Sequence, residues 1–457
     1  MAATVDLLPE VPEDANPTPP RDAKPTPTER NHPLMEWLIP PILCAVMLGQ
    51  LVFSSRHVSQ ISDEATHLYS GYRFLMCGDL TVSPEHPPLA KIVAAAPLVP
   101  MNVTVNCAPF MGGNVQQAVA SENWLYSQNW RSALARARLA VSVFAAGLCL
   151  LVWTAARRMF DLPTAVTATV LLVFEPNVLA FGTLVMTDVP VTCMLLFAVV
   201  GFYLWVTNRT VPFVLLTALA TGLTLLAKHS GLAVVPILCV LAVADALIHY
   251  TGLRSTSQAV LRNLLAVALI LAIAIGIIWG GYGMRFAAYP GRMQFQAAPP
   301  EAASNGARVL LALKKYHVLP EAYLEGFARA LSIASESGPA FVAGKIYPQA
   351  PWFSTPFNLF IRNTSASLVM ILASTFGLVI AFRQRRREVL FLLVPAGVFL
   401  AVCLHSSMNV GVRYLLPMFS DCHCGRMRGT GATCALGTLC GAVSHPSACG
   451  FITERLS

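Results

Sequence analysis

Charged residues are scarce in this chain of 457 residues. Lys, Arg, Asp and Glu make up 12% of it, about half the share usual in a soluble domain. That scarcity excludes a water-exposed surface along most of the sequence. Acids are the rarer sign, 23 against 31 basic residues. The resulting net charge of +8 does not point to nucleic acid, because the basic excess falls between apolar runs rather than in one patch. No cleavable signal peptide is expected either. The first 30 residues hold seven prolines and six acids and cannot form an apolar h-region. They read as a Pro-rich, disordered cytoplasmic tail over 1–34. No internal repeat is visible.

What fills the chain is apolar sequence, 55% of all residues. It comes in runs of about 17–22 residues, each able to cross ~30 Å of hydrocarbon as a helix. Nine spans are expected, at 37–54, 139–156, 162–182, 189–207, 211–227, 231–249, 261–282, 366–382 and 389–405. The third is interrupted by Glu175-Pro176-Asn177. Such a break survives in a bilayer only where protein or water satisfies the freed backbone groups. The expected fold is an all-α polytopic membrane protein with its transmembrane domain at 35–420. Arginine placement orients it. With the N-terminus cytoplasmic, the short inner loops hold Arg157, Arg158, Arg209, Arg254, Arg262, Arg383 and Arg385–Arg387. The long loops 55–138 and 283–365 then lie outside, or in the lumen of an endomembrane.

Seven of the twelve cysteines are scattered, mostly within spans, and read as small apolar filler. The other five crowd the last 36 residues, where the sequence turns rich in Gly, Cys, Ser and Thr. Cys422-His423-Cys424 matches no zinc spacing. Where a tenth span is expected after Pro417, the composition shifts instead, so 421–457 is expected to be a frameshifted or truncated tail, with later spans missing.

The outer polar residues carry the function argument. Ser62 is expected to cap a helix running to Cys77, with Gly78 as its stop. Asp63 and Glu64 suit its first turn electrostatically, which alone would explain them. They also share a helix face with His67, a spacing that suits either a divalent metal or a carboxylate general base. Pro87-Pro88 opens a second short helix over 87–97, whose apolar face (Leu89, Ile92, Val93, Ala96) is expected to lie in the interface plane. Glu85 and His86 precede it, as capping groups or as part of a site facing Asp63; they are also the candidate ligands for a divalent ion. Lys91, Arg138, Lys228, Arg413 and Asp188 fall at the same outer depth. Each has an ordinary reading as an interfacial anchor. Together, cations around carboxylates suit an anionic lipid head group whose charge must be held during reaction.

These residues resemble the glycosyltransferase C superfamily, and within it bacterial proteins related to protein O-mannosyltransferases and aminoarabinose lipid A transferases. The matching motifs are Asp63-Glu64-Ala-x-His67, Gly71-Tyr72-Arg73, Gly78-Asp79-Leu80, Glu85-His-Pro-Pro-Leu-Ala-Lys91, Arg138-Leu139, Glu175-Pro176, Thr187-Asp188 and Ala227-Lys228. Leu319-Pro-x-x-Tyr323-x-x-Gly326 and Gly411-Val-Arg413-Tyr-Leu-Leu-Pro417 complete the series. The family's Gly-Trp-Trp stretch is represented only by Ala350-Pro-Trp352-Phe353. The resemblance implies transfer of a sugar, with inversion, from a polyprenyl-phosphate donor to an extracytoplasmic acceptor. It implies Asp63 as catalytic base with Glu64 beside it, and His67, Glu85, His86 and Asp188 as support. Lys91, Arg138, Lys228 and Arg413 are implied at the donor phosphate, and no cofactor is certain beyond a candidate divalent ion. A secondary transporter is the rival reading. It would place charges near the bilayer midplane and commonly show repeated halves. An inactive remnant of the transferase is the third.

Overall fold

The computed structural model describes residues 33–110, 112–291, 305–335, 339–405 and 416. The expected tails at 1–34 and 421–457 thus fall almost wholly outside the described residues, as does Arg413.

The chain begins with the long helix α1 (Pro33–Ser55) and then builds the first loop. That loop holds α2 (Ser62–Cys77), α3 (Leu89–Ala95) with a 3-10 turn at Ala96–Met101, and α4 (Asn114–Tyr126). The bundle continues with α5 (Trp130–Met159), α6 (Leu162–Val173), α7 (Pro176–Gly182), α8 (Asp188–Asn208) and α9 (Val211–Ala227). A 3-10 turn at His229–Ala233 leads into α10 (Val234–His249), followed by α11 (Leu253–Gly281). The second loop carries α12 (Asn305–Lys315), α13 (Glu321–Ser335), the hairpin β1 (Ala340–Val342) and β2 (Lys345–Tyr347), and α14 (Ser354–Ile361). The last described helices are α15 (Ser365–Ala381) and α16 (Arg386–His405). The strands pair antiparallel, Phe341 opposite Ile346.

The fold is the expected all-α polytopic one, with a different count of clear spans. Among the described residues six helices are long and apolar enough to cross a membrane, namely α1, α5, α8, α10 with its leading turn, α11 and α16. The interrupted third span is a broken one: α6 and α7 meet at 58°, and count as a seventh span if taken together. Pro176 cannot continue the helix ladder. Glu175 caps the restarted helix through Asn177 N, and its other oxygen accepts from Ser367 Oγ at 2.9 Å. The expected spans at 211–227 and 366–382 are apolar helices of shorter length. Helix α8 is central: 83% of its apolar stretch is buried, against 17% for α1 and 22% for α11.

Polar contacts fix the two ends of the bundle. At one end Asp245 accepts from Arg209 and Arg387, both at 2.9 Å, and from Asn263 at 3.3 Å, tying α8, α10, α11 and α16 together. Arg157 meets Glu36 at the same end, and Arg385 donates to Met159 O. The first and second loops gather at the other end, where α13 packs on the 82–86 turn.

The first loop owes its shape to buried polar anchors. Gly78 ends α2 in the left-handed region at φ +66°, as expected, while Ile61 rather than Ser62 is the N-cap. Arg73, 1% exposed, holds Asp79 at 2.8 Å through Nε and donates to Tyr69 Oη and to the carbonyls of Asn106 and Ala108. Tyr72 Oη donates to Val103 O at 2.7 Å. Cys77 and Cys107 form a disulfide, so two of the cysteines read as filler instead close this loop. Helix α3 buries Ala90, Lys91, Ala94 and Ala95 against α2, and leaves Leu89, Ile92 and Val93 half-buried and Ala96 exposed on the face expected to lie in the interface plane. Small residues allow that approach: a Cβ on Gly71 would lie 2.1 Å from Lys91 O.

Candidate active site

The N-terminal end of α2 divides the two neighbouring acids. Glu64 is fully buried. Arg138 grips it with two hydrogen bonds, 2.8 Å from Nε and 2.7 Å from Nη2. The backbone N–H groups of Ile61 and Val185 add bonds at 3.1 and 3.0 Å. The remaining Arg138 donors go to the carbonyls of Ser55, Val58 and Ser59. This unit ties α1, α2, α5 and the turn before α8 together. Asp63, one residue earlier on the helix, is exposed and faces a cavity of about 440 Å³.

That cavity collects most of the residues singled out in the sequence. Asp63, His67, Glu85, His86, Asp188 and Lys228 all line it. Lys228 Nζ donates to Asp188 Oδ1 at 2.7 Å, both side chains being largely buried. Asp188 reaches this position from the first turn of α8, and Lys228 from the break after α9. His67 and His86 meet edge to face, ring centroids 4.8 Å apart. Burial holds the His86 imidazole well below its usual pKa range, and His67, Lys91, Lys228 and His229 push it the same way. His86 is therefore neutral near pH 7.

The 82–86 turn that carries Glu85 and His86 is pinned from both sides. Ser83 sits at φ +51°, with its N–H donating to Gln117 at 3.0 Å and its carbonyl accepting from Lys91 Nζ at 2.5 Å. Lys91 is 4% exposed and lies behind the turn, beside a separate water-sized void. Burial lowers its pKa to about 8, Glu85 opposing and Arg329 adding to the shift.

Of the four cations expected at a donor phosphate, Lys228 alone is placed on this cavity among the described residues. Arg138 is engaged by Glu64, Lys91 by Ser83, and Arg413 lies outside the described residues. The candidate divalent ion gains no support: among the described residues no group of three or more His, Cys, Asp or Glu gathers as a metal site. Glu85 instead faces Arg329 of α13 at 3.4 Å.

Helix α13 supplies what the sequence reading passed over. Phe327, Ala330, Leu331, Ile333 and Ala334 form an apolar wall of the cavity, extended by Val402 and Cys403 of α16. Tyr323 and Phe327 pack on His229, with ring centroids 4.9 and 5.6 Å away. The spacing Leu319-Pro-x-x-Tyr323-x-x-Gly326 marked this segment, but without the 82–86 turn beside it nothing in the spacing assigned it to the site.

Residues 84–288 match the family model described as dolichyl-phosphate-mannose-protein mannosyltransferase. No curated protein matches the chain in sequence. In fold it is similar to the apo oligosaccharyltransferase of Archaeoglobus fulgidus, with TM-score 0.54 at 12% identity, covering 89% of this chain and 54% of that one. It is likewise similar to oligosaccharyltransferase AglB from the same organism in complex with an inhibitory peptide and a dolichol-phosphate, with TM-score 0.53 at 14% identity and the same coverage. At such identity the likeness is one of fold, and the chain spans about half the length of these structures. The matched segment covers somewhat under half of this chain, and its description is of the kind of protein that the motifs resemble.

Proposed function

We propose that this chain transfers a sugar, with inversion, from a polyprenyl-phosphate donor to an acceptor hydroxyl at the non-cytoplasmic face of its membrane. The observation that carries the reading is the two-sided cavity. One wall presents Asp63, His86 and the Asp188–Lys228 pair, and the other is apolar side chains of α13 and α16. An amphiphile with a polar head and a long apolar tail suits such a site better than a free sugar does. A dolichyl-phosphate-linked donor is named in the matching family description, and a dolichol-phosphate is bound in one of the similar structures.

In this reaction Asp63 accepts the proton of the acceptor hydroxyl as its oxygen bonds to the anomeric carbon. The bond from that carbon to the phosphate oxygen breaks on the opposite side. Its electrons leave with the prenyl phosphate, whose charge Lys228 stabilises. Asp188 positions Lys228. Glu64 and Arg138 hold the base-bearing end of α2 rather than taking part in chemistry. The disulfide supports the sidedness, since such bonds persist on oxidising sides of membranes. The arginine-lined opposite end suits the cytoplasm.

The test is incubation of the purified protein with polyprenyl-phosphate sugars and hydroxyl-bearing acceptor peptides or lipids. Expected are glycosylated product of inverted anomeric configuration and an equal yield of prenyl phosphate. Product with retained configuration, or turnover independent of the prenyl phosphate, would overturn the reading.

A further inference from the structure

We infer that the face of α13 bearing Gly326, Ala330 and Ala334 is the specificity wall for an isoprenoid chain, with Ala330 and Ala334 setting the width open to it. The inference rests on the proposed donor class and names the part of the chain that reads its tail.

Three observations carry it. The first is how α13 is held. Gly326 sits so close to the 82–86 turn that a Cβ there would lie 1.9 Å from Pro84 O. Tyr323, one turn earlier, is 3% exposed and packs on His229 and Tyr282. Arg329 meets Glu85 on the flank. The helix is thereby fixed to the element that carries the polar wall, and the distance between the two walls is set by backbone contact. The second is periodicity. Positions 326, 330 and 334 are spaced four apart, so they lie on one face of the helix. That face docks at Gly326 and then opens, one and two turns on, into the cavity that Ala330 and Ala334 line. The third is size. Large apolar side chains from Phe327 and Ile333 flank the stripe, while methyl groups occupy its centre. A wall built this way leaves a furrow along the helix, and an isoprenoid's methyl-branched chain fills such a furrow by dispersion contact alone.

Width therefore governs affinity for the tail and not for the phosphate. Adding bulk at 330 or 334 closes the furrow beyond the head group, whereas the same bulk at Ala328, which does not line the cavity, leaves it open. The probes are a long-chain polyprenyl phosphate and a short, water-soluble isoprenyl phosphate, with dissociation constants measured on the purified detergent-solubilised protein. The wild type is expected to bind the long chain more tightly. Ala330→Phe should cut that preference about tenfold, the scale on which apolar pockets discriminate chain bulk. Ala334→Leu should act in the same direction, so the result does not hang on one variant folding. Ala328→Leu should keep the preference. An unchanged preference in both cavity variants, or an equal loss in Ala328→Leu, would overturn the inference, as would a wild type with no preference for the long chain. Sugar transfer is assayed in parallel. Chain-length preference that responds to Ala330 and Ala334 without any transfer would sink the transferase reading and leave this one standing.

Discussion

Asp63 and Glu64 are chemically alike and adjacent, and packing alone separates their roles. Glu64 accepts from Arg138, 74 residues away, and from Val185, 121 residues away. Neither partner can be read from the motif, so the sequence presented two candidate bases where the fold exposes one. Asp63→Asn keeps the size and hydrogen bonding of the side chain but removes the proton acceptor. Turnover should fall at least ~100-fold with insertion unaffected, the low end of what general-base loss costs. Near-normal turnover in that variant would place the base elsewhere. Arg138→Ala leaves a buried carboxylate without its counter-ion, and loss of one partner of such a pair costs about 3–5 kcal/mol. Its unfolding midpoint in detergent should drop well below that of Asp63→Asn. A variant of Arg138 as stable as wild type but defective in donor binding would instead restore it to the phosphate. Lys91 gives a pH signature. Its folded pKa lies near 8 against 10.5 when unfolded, so between those values the unfolded chain holds the extra proton. Stability should rise with pH across that window, and Lys91→Met should abolish the rise. A flat profile in the wild type would mean that Lys91 is hydrated.

Helices were legible where their periodicity and stops are local, as with α2 ending at Gly78, or the break at Pro176. What escaped was the partner of each packed face. Helix α3 keeps Leu89, Ile92 and Val93 half-buried on the face expected at the interface, and its alanine face packs on α2 because Gly71 lets the two backbones approach, a contact that depends on a helix elsewhere in the chain. Helix α13 repeats the lesson. In an ordinary helix interior Gly→Ala stabilises by about 1 kcal/mol through propensity. At Gly326 the added methyl meets the carbonyl of Pro84, a backbone atom with no rotamer to yield. Overpacking of this kind costs about 1–3 kcal/mol, so the sign should reverse. Gly326→Ala is expected to lower the unfolding midpoint and to make the 321–335 segment more susceptible to protease. A stabilised variant with unchanged cleavage would show that α13 does not dock on the 82–86 turn.

The two ends of the bundle differ in chemistry, and that difference predicts sidedness. One end joins Arg157, Arg209, Arg385 and Arg387 to partners on α1, α10 and α5. The other joins the two long loops, because Gly326 and Arg329 of the second meet Pro84 and Glu85 of the first. The disulfide Cys77–Cys107 closes the first loop, on the end away from Arg157, Arg209, Arg385 and Arg387. Basic residues retained on the cytoplasmic side and a disulfide on the oxidising side are independent tendencies with different causes, one from insertion and one from redox environment. They agree here. Exposed positions suit a direct test: Gln116 in the first loop, Gln349 in the second, and Gln258 at the arginine-bearing end. Each is to be replaced by cysteine singly, in a background that keeps Cys77 and Cys107 and removes the other cysteines. In intact cells an impermeant maleimide should label the cysteines at 116 and 349, and should reach the one at 258 only after permeabilisation. Opposite labelling of 116 and 349 would contradict the contact between the loops, which no change of orientation can rescue. Labelling of 258 alone in intact cells would keep the fold and invert it, placing Asp63 and its cavity on the cytoplasmic side, where a disulfide is unfavourable and an extracytoplasmic acceptor is out of reach.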